Sequence, residues 1–320
     1  MYSNDSRILH VNEVANVAST LVDEARREGK NWRLRRIPAG RGNIFTVATS
    51  RARDLVTARK LIGASDVVHL HYATNGYLIW GSTPSVLHLH GSDIRKDWKR
   101  PLLKSVISAS LRAADAVVYS TPDLYQWIED VRPDATWIPN PVPRSFLEPV
   151  PGVTRSERIV FSSRWDETKG IELLLPLAQR LVEAGCEVVG LDWGTHREDA
   201  RRVGVKLEPL MDHHEFKGFL AGAKVVVGQL KFPALSMTDF QTMALGIPLI
   251  CSANSEQPPA YTVTCDDYAG LVPRDPEAIA ELILDGSHPS DSVASQWVED
   301  HHSPGVTVRA CEDVYRRILA

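Results

Sequence analysis

The chain has 320 residues, 43% of them hydrophobic and 24% charged, with a net charge of -4. That length is too great for one ordinary core and suits two α/β domains, and no apolar run approaches the length of a membrane span. The cysteines, Cys186, Cys251, Cys265 and Cys311, stand far apart with no C-x-x-C pair, which argues against a disulfide framework or a cysteine zinc site and for a reducing compartment.

The first residues, "MYSNDSRILHV", lack a basic segment followed by an apolar one, so no secretory signal and a cytoplasmic location are expected. "RILHV" (7–11) predicts a strand, and "ANVASTLVDEARREG" carries apolar residues at helical spacing up to a Gly stop. Residues 1–60 hold 12 Lys and Arg against 6 Asp and Glu, net +6. These cations gather in "RREGKNWRLRR" (26–36) and "RGNIFTVATSRARDLVTARK" (41–60). Two readings stay open: a solvated helix face, or contact with an anionic membrane surface or an anionic acceptor.

The alternation continues through "DVVHLHY" (66–72), "SVLHLHG" (85–91), a helical "PLLKSVISASLRAA", "DAVVYS" (115–120) and the helix start "STPDLYQWI". Continuous apolar runs of this kind predict buried parallel strands. "ATWIPNPVP" (135–143) and "LEPVPGV" form a stiff Pro-rich connector, which sets a first domain at 1–143 and a second at 144–320, with the last helix packing back on the first. After it come "RIVFSSRW" (158–165), the amphipathic "GIELLLPLAQRLVEAG", "CEVVGLDWG" (186–194), "HEFKGFLAGA", "KVVVGQL" (224–230), "SMTDFQTMALG" and "IPLICSA". The predicted class is α/β, two doubly wound Rossmann-like domains facing across a cleft, with ligands at the carboxyl ends of strands.

Three strand-end loops have residue types suited to chemistry. In "SSRWDETKG" (162–170), Arg164 and Lys169 can converge with helix-start amides on an anion. In "LHLHGSDIRKDW" (87–98), His90 stands at the sheet edge before a tight turn. His69, His71, His88 and His90 put i, i+2 pairs on strand faces, but no carboxylate or Cys accompanies them at metal-ligand spacing, and no metal is expected. In "SMTDFQTMALG", Ser236 or Thr238 can cap a helix, and Thr238-x-x-Gln241 has the form of a capping box.

The ordered series "HGSD", "ADAVVYSTPDL", "IPNPV", "SSRWDETKGIELLLPLA", "EVVGLDWG" and "QTMALGIPLICS" resembles the retaining glycosyltransferases of family 4, which have the GT-B fold. The resemblance runs from about residue 65 to the end. It implies transfer of a sugar from a nucleotide-diphosphate donor, UDP or GDP being expected, with retention of configuration and with neither a metal nor another cofactor. Arg164 and Lys169 match the pair that binds the donor diphosphate, and His90 matches the histidine that touches the transferred sugar, with Gly91 and Asp93 beside it. Ala234, Leu235 and Ser236, continued by Met237, match the turn whose amides meet sugar and phosphate. Ser163 and Gly194 lie on the same donor side. Gln241 falls on the second glutamate of the E-x7-E motif, which holds the ribose, and Pro233 falls on the first. The usual glycine-rich turn after the first strand is replaced by "VNEVANVAST", leaving Asn12 and Asn16 as the expected acceptor-side groups. The acceptor is unidentified, with an anionic lipid, glycan, nucleic acid or protein expected and peripheral membrane contact through the basic region. The two departures from glutamate keep open a non-catalytic nucleotide-sugar-binding protein or inactive partner subunit.

Overall fold

The computed structural model describes residues 1–37, 55–80, 83–231, 234–251, 275–286 and 292–320. Two compact units appear: Met1–Pro143 with Ser303–Ala320, and Arg144–His302. Each is built on one all-parallel sheet. No helix among the described residues is long and apolar enough to cross a membrane.

In the first unit the strands are β1 (Ile8–Val11), β2 (Trp32–Arg35), β3 (Val67–His71), β4 (Ser85–Leu89), β5 (Ala116–Tyr119) and β6 (Thr136–Trp137), in the order β2-β1-β3-β4-β5-β6. β1, β3 and β4 are buried along their whole length, as expected of strands covered on both faces by helices. Helix α1 (Val17–Arg27) directs Val17, Leu21 and Ala25 inward, and the last helix, Pro304–Ile318, packs against it through a face carrying Val308, Cys311 and Tyr315.

The first cationic stretch is not a helix face. It closes α1 at Arg27, reverses at Gly29 with φ +76°, and runs out as edge strand β2, whose Trp32 is fully buried. Arg26 donates to the Trp32 carbonyl at 3.0 Å, and Lys30 pairs with Glu28 at 3.0 Å and Glu312 at 2.8 Å. The strand wins because Trp32 and Leu34 lie in register with Ile8 and His10 of β1, so pairing seats the indole in the core. Of the second cationic stretch, residues 41–54 lie outside the described residues, and 55–63 form a helix. The Pro-rich connector is also partly strand, since Thr136 and Trp137 pair with β5.

The second unit has β7 (Ile159–Phe161), β8 (Val188–Leu191), β9 (Lys206–Glu208), β10 (Val225–Val227) and β11 (Leu249–Ile250), in the order β11-β10-β7-β8-β9. Helix α7 (Ile171–Glu183) lays Leu174, Leu177, Ala178 and Leu181 on the sheet. Pro176 sits in its second turn, where its missing amide removes one bond of the helical ladder. Strand order reverses beside β1 in the first unit and between β7 and β10 in the second. These are the switch points where the carboxyl ends of open α/β sheets leave a crevice.

At the first switch point the chain turns without glycine. Asn12, Ala15 and Asn16 adopt positive φ of 76°, 49° and 62°, which asparagine tolerates better than most residues. Glu13 then caps α1: its carboxylate accepts the amides of Val14 at 3.1 Å, Ala18 at 3.2 Å and Ser19 at 3.0 Å. A carboxylate there satisfies orphan amides and complements the helix dipole. Glu13→Ala is expected to lower stability by ~1–2 kcal/mol in denaturant unfolding, the range of a lost cap. An unchanged midpoint contradicts that role.

Candidate functional site

At the switch point of the second sheet, the loop after β7 carries Ser162, Ser163 and Arg164 and then plunges at Trp165, which is fully buried. The indole N–H donates to the Leu191 carbonyl at 3.1 Å, and the ring lies so close to Gly190 that a Cβ there would come within 2.8 Å. The backbone of Trp165 exchanges bonds with the next loop: its amide donates to Trp193 O at 2.9 Å and its carbonyl accepts from His196 N at 2.9 Å. Gly194, with φ +125°, makes that approach possible, because a side chain would collide with the Trp165 backbone. Gly194 therefore braces the loop after β7.

Pinned by Trp165, Arg164 stays half-buried at the surface. Its guanidinium pairs with Asp166 at 3.2 Å, donates to Thr168 Oγ1 at 3.1 Å and lies 5.1 Å from the ring centre of the exposed Trp193. Lys169 ends the following 3₁₀ turn, and Gly170, with φ +88°, passes so close to the Leu230–Lys231 backbone that a Cβ would meet it at 3.0 Å. The Leu230 amide donates to the Lys169 carbonyl at 3.0 Å. The Arg-x4-Lys loop thus lies against the loop after β10.

That second loop is held by Gln229, which is buried, accepts Lys231 N at 2.9 Å and donates to the Ala234 carbonyl at 2.7 Å. Sequence reading had not singled out Gln229; a lone glutamine closing an apolar strand was the available signal. Leu235 is buried, Ser236 caps α10 (Met237–Ala244), and Asp239 completes a capping box. The Ser236 amide donates to Asp239 Oδ2 at 2.6 Å, and the Asp239 amide donates to Ser236 Oγ at 3.3 Å. The capping box therefore belongs to Ser236 and Asp239, not to Thr238 and Gln241. The helix begins two residues earlier than that spacing assumed, so Gln241 lies a turn inside it. Gln241 is buried in α10 without a cap to serve, and Pro233 lies outside the described residues. Burial raises the Asp239 carboxyl to about 6, against the pull of its Ser236 bonds and of the nearby Lys169 charge.

In the first unit, the turn after β4 is organised by Asp93. Its fully buried carboxylate accepts the amides of Gly91 at 2.8 Å, Ile94 at 3.1 Å and Ala73 at 3.0 Å, and of His90 at 3.2 Å. Asp93 is thereby occupied with shaping the turn. Gly91 has φ +108° and its Cβ position is filled by the Arg95 guanidinium, itself held by Asp123 at 2.7 Å. His90 emerges from this turn with a partly exposed edge, and its Nε2 meets His71 Nδ1 at 2.8 Å. Asn12 donates to the His71 carbonyl at 3.2 Å, and Asn16 starts α1, so both asparagines border the same strand ends.

His10, His69, His71 and His88 are completely buried in one layer with His90. Register explains it: His10 pairs with His69 and His71 with His88 across parallel strands, so all face one side of the sheet. Burial, the largest influence, holds every ring in its neutral form, with His10 and His90 lowered to about 3 and the others well below their ordinary value. His10 was not recognised as a member, because only strand pairing brings it there.

Residues 13–146 match the family model described as Glycosyltransferase Family 4. The fold is that of solved GT-B glycosyltransferases. Sucrose-phosphate synthase from Thermosynechococcus elongatus superposes with a TM-score of 0.75 at 16% identity, covering 98% of this chain and 99% of that one. Anabaena HepE, solved with UDP and glucose, gives 0.69 at 12% identity over 98% and 100% of the two chains. A Listeria monocytogenes protein described as a putative UDP-N-acetylglucosamine 2-epimerase gives 0.61 at 12% identity over 98% and 97%. No curated protein matches the chain in sequence.

The neutral histidine layer has a consequence for acid stability. Unfolded, these imidazoles take up protons around their ordinary pKa of 6.5, which the folded state refuses down to about 3 at His10 and His90. Their contribution is therefore complete above that ordinary value and is lost as pH falls, by up to ~1.4 kcal/mol per pH unit for each group. Urea unfolding at a series of pH values is expected to show stability declining from about pH 6.5 downwards, and a flat profile to about pH 5 contradicts the neutral layer.

Proposed function

We propose that the chain is a glycosyltransferase that moves a sugar from a nucleotide-diphosphate donor to an acceptor. The observation that carries this reading is the second unit's switch point, where the loop bearing Arg164 and Lys169 lies against the loop that starts α10. Two cations and the first amides of a helix there match what a diphosphate requires. Their work is to hold the diphosphate and offset the charge that grows on it as the sugar leaves. The match of residues 13–146 to a glycosyltransferase family supports transfer over epimerisation on the same fold.

In this reading Gln241 offers its amide carbonyl to a ribose hydroxyl, while Ser163, Leu235, Ser236 and Met237 line the phosphate and sugar side. Gly194 serves by holding the Arg164 loop in place. His90 meets the transferred sugar as a neutral imidazole, acting by hydrogen bonding. Transfer proceeds with retention of configuration and without a metal, as the family resemblance implies. UDP or GDP is the expected nucleotide, and an anionic acceptor, met by Asn12, Asn16 and the basic N-terminal third, fits a protein working at the cytoplasmic face of a membrane. A nucleotide-sugar-binding protein without turnover is the second reading, favoured by one observation: the position that would hold ribose with a carboxylate carries the neutral Gln241.

A thermal-shift screen of UDP, GDP, ADP and TDP sugars identifies the donor, and hydrolysis or transfer assays with that donor separate the two readings. Binding without turnover, even with lysates supplying acceptors, supports the non-catalytic one. Arg164→Ala and Lys169→Ala are each expected to abolish turnover with the circular dichroism spectrum unchanged; near wild-type rates would remove the diphosphate cradle from this loop. Gln241→Glu is expected to tighten donor binding about fivefold, the worth of ~1 kcal/mol for a charge-assisted bond over a neutral one. A change confined to stability assigns Gln241 to helix packing alone.

A further inference from the structure

The histidine layer of the first unit is one continuous hydrogen-bonded chain. His90 Nε2 meets His71 Nδ1 at 2.8 Å, His71 Nε2 meets His10 Nδ1 at 3.0 Å, and His10 Nε2 meets the Tyr315 hydroxyl at 3.3 Å. From there the Tyr315 hydroxyl meets His69 Nδ1 at 2.6 Å, and His69 Nε2 meets His88 Nδ1 at 3.1 Å. The chain stops at His88 Nε2, which is buried and has no hydrogen-bond partner among the described residues.

A neutral imidazole carries one N–H and one lone pair, and this decides how the protons can be placed. The Cys311 thiol lies one turn earlier on the same helix as Tyr315. The Tyr315 hydroxyl can turn its proton toward that side while its oxygen accepts from His10 Nε2–H and His69 Nδ1–H. His10 Nδ1 then accepts from His71 Nε2–H, and His69 Nε2 accepts from His88 Nδ1–H. Both branches end in lone pairs turned away from the phenol, on His71 Nδ1 and His88 Nε2. The opposite placement on the His88 branch leaves an equally unpartnered buried N–H. Burying a polar atom with no partner is costly, so the end of this chain calls for a ligand.

His71, His88 and His90 each offer a ring nitrogen, and the three lie within 4.8 Å of one another. Three nitrogens around a tetrahedral zinc ion at ~2.0–2.1 Å stand ~3.3 Å apart, so the stacked rings must turn to bring their nitrogens onto one ion. We propose that His71 Nδ1, His88 Nε2 and His90 Nε2 form a binding site for one divalent transition-metal ion of the zinc class. His90 takes its Nδ1–H tautomer on binding, and its partly exposed edge leaves the fourth position open to solvent. His10, Tyr315 and His69 hold the ligand rings from behind, the arrangement by which outer hydrogen bonds fix tautomer and orientation in metal sites. An all-imidazole set favours zinc, nickel, copper and cobalt over magnesium or calcium. The proposed ion shares His90 with the sugar contact above, whereas the diphosphate loops lie in the other unit, and transfer is assigned to those loops and not to the ion.

The test uses the full untagged chain, stripped with chelator and titrated with Zn²⁺ by calorimetry and with Co²⁺ by visible absorption. One ion per chain is expected, with intense cobalt bands of a four-coordinate site. His90→Ala, changed at a partly exposed position past the strand, is expected to lose both signals while melting as a folded protein. Tyr315→Phe, which removes the hydroxyl that His10 and His69 share behind the ligand rings, is expected to weaken binding. X-ray absorption of the cobalt-loaded wild type, which needs no variant to fold, is expected to count three imidazole ligands. Absence of binding, binding undiminished in His90→Ala, or a ligand shell without imidazole overturns the site.

Discussion

The burial of Trp165 is the constraint on which the candidate site of the second unit depends. A strand that ends in a polar loop has no intrinsic reason to hold two cations in fixed places. Here the loop is nailed down by an indole that fills the space left by Gly190 and bonds Leu191, while Gly194 lets the next loop close over its backbone. Arg164 and Lys169 flank this anchor on either side, so their backbone positions are set by core packing. Gly170 and Gln229 then fasten the far end of the loop to the chain leaving β10. The result is a preformed pair of loops at the point where strand order reverses, where α/β sheets bind ligands.

The two units treat their helix starts differently. In the first, Glu13 places its own carboxylate over the opening amides of α1, so the position where a glycine-rich turn would receive a phosphate is already occupied by an anion. In the second, Asp239 satisfies the Ser236 amide at the cap of α10 beside the Lys169 charge, the helix start at which the donor reading proposed above would place a phosphate. The burial that raises Asp239 toward neutrality reduces its repulsion of such a group. The asymmetry agrees with a donor held by the second unit.

Opposite demands meet in the histidine layer. Five imidazoles on one sheet face fill volume as aromatic rings do, stacking 4.2–5.3 Å apart, yet each has polar atoms that burial must satisfy. Tyr315, brought from the last helix, supplies the one hydroxyl able to accept from two rings and pass its own proton elsewhere. The C-terminal segment is in this way tied to the first unit by a polar bond as well as by apolar packing.

The alternation of elements is legible along the chain, because buried parallel strands and amphipathic helices leave apolar patterns that depend only on neighbours in sequence. So are the strand-end loops that carry cations, imidazoles and helix caps, since those are matters of residue type and place. What each of these groups touches is settled by packing between distant segments. The "RREGKNWRLRR" stretch resembled a charged face until pairing with β1 made half of it an edge strand, and the Thr238 to Gln241 spacing resembled a cap until the helix began at Ser236. Asp93 resembled a ligand group and is saturated by four backbone amides, while His10 showed nothing until register set it beside His69 and His71. The reason is the same in each case: hydrogen bonds and burial are satisfied between segments far apart in the chain, and local pattern holds no record of which distant partner will arrive.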